Sequence, residues 1–158
     1  MSQYEEGIVI LKEKFGNDKD NVIALATIEQ TDNNKPRPIV RDVDAYYEDG
    51  VFYVVTWAKS TKMQHIAQNN EVGIAVCFEW FNANGIGENL GWVLDPKNAE
   101  LRTKLRKAFA KWYDMANNEN DENCCILAIR LTKGIININH HEKLYYMDFV
   151  NKTATVRE

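Results

Sequence analysis

Apolar positions along this chain shift from a helical to an alternating period within the first thirty residues. Tyr4, Ile8, Leu11 and Phe15 recur at helical intervals and stop at Gly16, and Ser2 with Glu5 has capping-box spacing, so an amphipathic helix opens the chain. Val22 to Glu29 is β-branched, aliphatic or small, which predicts a strand; the polar loop Gln30 to Pro36 follows, and then an extended run alternates from Ile39 to Tyr46. Pro36 and Pro38 keep that second run at an edge or at its start, because proline cannot donate to a sheet ladder. Asp49-Gly50 predicts a tight hairpin turn into a strand over Val51 to Thr56, since a type I′ turn needs positive φ at both central positions. Met63, Ile66 and Ala67 then mark a short helix between Ser60 and Asn69-Asn70. In the next strand Val72, Ile74, Val76 and Phe78 share one face. Gly73, Ala75 and Cys77 share the other, which leaves room for something flat or for a closely packed helix.

The Gly- and Asn-rich stretch Asn82 to Val93 reads as a strand with a bulge or a long hairpin arm. Asp95-Pro96 combines a capping acceptor with a proline at a first helical position. Leu101, Leu105, Ala108, Phe109, Trp112 and Ala116 predict one long helix from there to about Asn117. After a polar loop, Cys124 to Thr132, Ile135 to Asn139 and Leu144 to Phe149 read as three strands. Lys133-Gly134 and the turn His140 to Lys143 separate them, and Thr153 to Val156 adds an edge. Short strands in hairpin order with few helices predict a mainly β (α+β) protein, an antiparallel barrel or sandwich with peripheral helices. No repeat or low-complexity linker divides residues 1–158, so one domain is expected.

Composition narrows the function classes. Hydrophobic residues at 45% and charged at 27% are those of a globular chain, and a formal net charge of −4 argues against a nucleic-acid-gripping surface. The three cysteines, Cys77, Cys124 and Cys125, form neither a disulfide framework nor a zinc spacing, which points to a reducing compartment. No export signal or membrane-length apolar run is apparent, so a cytoplasmic protein without a membrane partner is expected.

One constellation carries candidate chemistry: Arg41, Thr56, Ser60, Thr61 and Lys62. A phosphate monoester has close to two negative charges and three acceptor oxygens, and it wants a guanidinium, an ammonium and hydroxyl donors together. A helix start adds free backbone N–H groups. The competing account has Ser60 capping the helix, Lys62 solvated and Arg41 paired with Asp42 or Asp44. Spacing alone favours that account, because no glycine-rich phosphate loop is present. His65 reads as a surface residue or a cofactor contact, with the surface favoured. His140-His141 point apart in a turn and make no metal pair; no metal site is expected. One of Cys124 and Cys125 should face the core.

Pro38-Ile39-Val40-Arg41-Asp42-Val43, Tyr47-Glu48-Asp49-Gly50 running into Val51–Thr56, Ser60-Thr61-Lys62 and Val72–Val76 occur in an order and spacing that resembles the pyridoxamine 5′-phosphate oxidase-like flavin-binding split-barrel family. The resemblance covers residues 20–95 well and the remainder in outline. It implies a Greek-key split barrel and a homodimer holding FMN in clefts between subunits. It also implies that Arg41, Ser60 and Lys62, with Thr61 beside them, hold the phosphate, and that Val55, Thr56 and Trp57 line the ribityl chain and ring. Arg37 shares the strand face of Arg41; the position relative to Val43 favours Arg41. Trp80, Asn84, Glu88 and Trp92 are candidates for the partner subunit's contribution over the flavin, against a plain anchoring role for the tryptophans. The substrate-binding C-terminal extension of the authentic oxidase has no counterpart here, so vitamin B6 oxidation is not expected; small relatives described as general stress proteins fit the length. The function implied is an FMN-dependent oxidoreductase taking electrons from NADH or NADPH to a small acceptor. The alternatives are a non-catalytic flavin or haem store or sensor, and a scaffold acting through its dimer surface.

Overall fold

Ser2 and Glu5 form the capping box their spacing predicts: the Ser2 hydroxyl accepts from the Glu5 N–H at 3.1 Å, and Glu5 accepts from the Ser2 N–H at 2.7 Å. They start α1 (Gln3–Phe15), which buries Gly7, Leu11 and Phe15. The computed structural model describes all 158 residues. Eight strands follow in one antiparallel sheet: β1 (Asn21–Glu29), β2 (Arg37–Glu48), β3 (Val51–Trp57), β4 (Glu71–Val76), β5 (Phe81–Trp92), β6 (Cys124–Ile138), β7 (Lys143–Asp148) and β8 (Thr153–Arg157). Their order is β3-β2-β1-β4-β5-β6-β7-β8, and a β3–β6 pairing closes the first six into a barrel. Asp49 and Gly50 adopt φ of 47° and 81°, as the predicted turn requires. Between β3 and β4 lies α2 (Thr61–Gln68); between β5 and β6 lie a 3-10 turn (Pro96–Asn98), α3 (Ala99–Ala108) and α4 (Tyr113–Ala116).

The barrel splits between β2 and β3. Those strands pair only through Tyr46–Glu48 and Val51–Tyr53; beyond that, β2 pairs with β1 and β3 with β6. Inside the barrel one core gathers Leu11, Phe15, Ile23, Leu25, Phe52, Leu127 and Ile129 among its 22 buried residues. Outside, α3 and α4 cover a second cluster of eight that includes Val55, Val93, Leu105, Phe109, Tyr113 and Cys124. Burial of these side chains supplies the main driving force for both layers. The adjacent cysteines fall on opposite faces, Cys125 in the inner core and Cys124 in the outer cluster. No helix is long and apolar enough to cross a membrane.

Three expectations are corrected. The long helix breaks: it turns at Phe109 (φ −102°, ψ 20°), and Trp112 (φ −137°) leaves the helical path. The Trp112 indole N–H donates to Asp20 at 2.7 Å while its ring stacks on Phe109, contacts that a continuous helix would forgo. Lys133-Gly134 makes no turn, because β6 runs unbroken through it, bordered by β3 along its first half and β7 along its second. A Cβ on Gly134 would meet Ala83 Cβ and the Asn82 carbonyl at 3.1 Å, so the glycine serves close strand packing. Phe78 does not share the buried face of β4; the strand ends at Val76, and Phe78 sits 88% exposed in a turn with φ of 64°.

Candidate functional site

The open seam between β2 and β3 forms a cleft of about 280 Å³. Val43 and Asp44 line one side, Val54, Val55, Thr56 and Trp57 another, with Lys62 at one end and Trp112, Ala116 and Asn117 opposite. Thr56, Trp57, Ala116 and Asn117 also line a neighbouring cavity of about 300 Å³ that reaches Asn118, Asp121 and Cys124. The two make one groove along the end of β3. It brings together four of the predicted site residues, Val55, Thr56, Trp57 and Lys62.

Arg41 lies one step along the same face of β2 from Val43 and is half-buried. Its Nη1 is shared among three oxygens: Thr27 Oγ1 at 2.6 Å, the Ile39 carbonyl at 3.1 Å and the Leu25 carbonyl at 3.3 Å. Neither Asp42 nor Asp44 pairs with it, which removes the ordinary account of this arginine. Lys62 likewise has no carboxylate partner. Burial, and then the positive charge of Arg41, push the Lys62 ammonium below its ordinary value, and burial does the same to the Arg41 guanidinium. The charge of Arg41 thus reaches Lys62, and no carboxylate neutralises either group.

Ser60 occupies the N-cap position of α2, yet its hydroxyl makes no capping bond and its buried oxygen has no partner at all. The first turn of α2 carries no acidic residue, so its backbone donors are also uncompensated by charge. Buried polar atoms are almost always satisfied, and an orphaned hydroxyl at the start of the helix that carries Lys62 has donor chemistry that suits an anion. Thr61 is exposed on the same turn. α2 comes close to the barrel because Gly87 on β5 leaves space: a Cβ there would meet Ile66 at 3.0 Å. The donor types suit a phosphate; of them Lys62 lines the groove, whereas Arg41, Ser60 and Thr61 are not among its lining residues.

Trp92 stands apart from the groove of its own chain. It is half-buried against the outer cluster, and its indole N–H donates to the Glu119 carbonyl at 2.7 Å. Trp80 and Asn84 lie on the outer surface of the sheet, and Glu88 pairs with Arg130 at 2.9 Å. Sequence reasoning missed Thr27 and Asp44, and it set His65 on the surface. His65 is buried, with Nδ1 2.8 Å from Thr27 Oγ1. A signal existed for Thr27, a polar side chain in the inward register of Ile23 and Leu25. Asp44 lines the cleft beside Asp20; burial, and then the hydrogen bond and charge of Asp20, raise its carboxyl to about 6. No arginine pairs with Asp44, and a carboxylate next to another carboxylate holds its proton longer.

No family model matches the chain, and no curated protein matches it in sequence. Solved structures do match. A protein related to general stress protein 26 of Bacillus subtilis, of the pyridoxinephosphate oxidase family, from Clostridium acetobutylicum, aligns over 96% of this chain and 99% of its own with a TM-score of 0.59 and 13% identity. A FAD-binding protein from Mesorhizobium loti aligns over 73% and 83% with a TM-score of 0.57 and 17% identity. A heme binding protein from Mycobacterium smegmatis reaches a TM-score of 0.66 at 14% identity over 96% of this chain and 60% of that one. At these identities the likeness establishes the fold alone: the chain has the split-barrel fold of these solved structures, along nearly the whole of its backbone in two of the three.

Proposed function

We propose that this chain binds FMN in the groove between β2, β3 and α2, as a homodimer with the cofactor at the subunit interface, and acts as an oxidoreductase on a small molecule with reduced nicotinamide as electron donor. The observations that support it are two half-buried, carboxylate-free cations, Arg41 and Lys62, the charge of the first acting on the second, and an orphaned Ser60 hydroxyl at the start of the helix that carries Lys62. Arg41, Ser60, Thr61 and Lys62 hold the phosphate; Val55, Thr56 and Trp57 line the path of the ribityl chain and ring. Bound there, FMN supplies the redox chemistry, and the chain supplies binding and orientation. That division explains why the groove holds so few acid or base groups. Trp57 is half exposed along the groove, which suits a surface completed by a second subunit, and Trp92 of the partner subunit is the candidate to cover the ring.

Purified protein titrated with FMN is the direct test. Saturable binding with a shifted flavin spectrum, bleaching by NADH or NADPH and recovery with an acceptor support the enzyme; failure to bind FMN overturns the assignment. A flavin that no reduced nicotinamide turns over, or a haem band in place of a flavin spectrum, supports the second reading, a flavin or haem store or sensor. The likeness to the heme binding protein favours keeping it. A monomer in scattering measurements with FMN bound sinks the dimer.

A further inference from the structure

Thr27 is fully buried on the inner face of β1, and its hydroxyl touches Arg41 Nη1 at 2.6 Å and His65 Nδ1 at 2.8 Å. The proton positions follow from what each group can do. A guanidinium only donates, so the Thr27 oxygen accepts from Arg41. The Thr27 proton then has one acceptor within reach, His65 Nδ1, and leaving it unused would strand a buried donor. His65 Nδ1 is therefore the acceptor, and Nε2 carries a hydrogen on the side of Glu29, whose Oε2 lies 3.8 Å away. The chain of donors runs in one direction, from Arg41 to Thr27 to His65.

This arrangement decides which edge of the guanidinium is free. Thr27 and the Ile39 and Leu25 carbonyls occupy Nη1, while Nη2 and Nε bond to nothing in the chain. Those two nitrogens are one edge of the planar fork that grips an anion in bidentate fashion. His65 sits on α2, the helix that also carries Ser60 and Lys62. One helix thus supplies half of the anion site directly and aims the other half through Thr27.

We propose that Thr27 and His65 are positioning residues for phosphate recognition: they pin one edge of Arg41 and present the other, and they keep Arg41 in register with Ser60 and Lys62. The proposal rests on the FMN assignment and adds how the strand and helix halves of that site are coupled. Neither residue touches the phosphate. Their loss should act on the phosphate alone and leave the ring and ribityl contacts intact.

The experiment titrates FMN and riboflavin against wild type, Thr27→Val, Thr27→Ser, His65→Leu and His65→Asn, with melting temperatures recorded for each. Thr27→Val and His65→Leu are expected to weaken FMN about tenfold, the scale of one lost buried hydrogen bond, with riboflavin changed less than about twofold. Thr27→Ser and His65→Asn, which keep a hydroxyl and an acceptor at the same places, should restore FMN affinity; His65→Leu, on another element, reads the relay should Thr27→Val not fold. Equal weakening of both flavins, or no weakening of FMN, overturns the positioning role while the FMN assignment stands. Wild type that binds no FMN overturns the assignment and the relay with it.

Discussion

Lys62 on α2 feels the charge of Arg41 on β2, which with burial lowers its proton affinity, and neither has a carboxylate partner. Like charges held together in a folded protein cost free energy unless a ligand neutralises them. Lys62→Ala and Arg41→Ala are therefore each expected to weaken FMN by about 1.5–3 kcal/mol, the range for hydrogen bonds to charged groups, while riboflavin changes little. Calorimetric or fluorescence titration of both flavins checks this. Parallel losses for the two ligands would remove the phosphate from this site.

Ser60 separates a cap from a ligand donor. A capping serine replaced by alanine costs about 1 kcal/mol of stability. Here the hydroxyl caps nothing and is buried without a partner, so Ser60→Ala should leave the ligand-free melting temperature unchanged within about 1 °C or raise it. FMN affinity should fall about fivefold or more in the same variant. A drop of several degrees without ligand would return Ser60 to an ordinary cap.

Asp44 makes stability fall as pH rises. Its carboxyl is raised from 3.8 to about 6 by burial and by Asp20, so between those values the folded state holds a proton that the unfolded state has released. The penalty is absent below 3.8 and complete above about 6. Asp44→Asn should raise the melting temperature at pH 8 by about 2–4 °C and give no gain at pH 3.5. A gain that does not depend on pH would detach the effect from this proton.

Glu119 behaves in the opposite sense. Arg102 donates to it twice, at 2.8 and 2.7 Å, the Tyr113 hydroxyl donates at 2.8 Å, and Arg106 lies at 3.3 Å. With Arg102 the largest cause, its carboxyl is held down to about 2, so its contribution is complete above the ordinary value of 4.5 and is lost as pH falls through about 2. These bonds fasten the loop after α4, part of the groove wall, to α3. Glu119→Gln is expected to destabilise the protein by about 1–3 kcal/mol at pH 7, with the difference from wild type shrinking below pH 4. Thermal unfolding followed across that range decides it.

Local chemistry settled much of this protein before any tertiary contact was known. The Ser2–Glu5 box, the Asp49-Gly50 turn and the side-chain alternation in β2 and β4 are written in neighbouring residues, because caps, turns and strand faces depend on spacings of one to four positions. Contacts distant in sequence decided the rest. The long helix broke where Trp112 could reach Asp20, 92 positions away; Gly134 stayed inside β6 because β5 presses on it; and Thr27, His65 and Arg41 met only when β1, β2 and α2 closed one end of the barrel. Spacing could nominate Arg41 and Lys62 only as candidates. That both lie half-buried without a carboxylate partner, and that the Ser60 hydroxyl is buried without any partner, is set by packing across the sheet, and that environment is what separates these residues from a solvated surface.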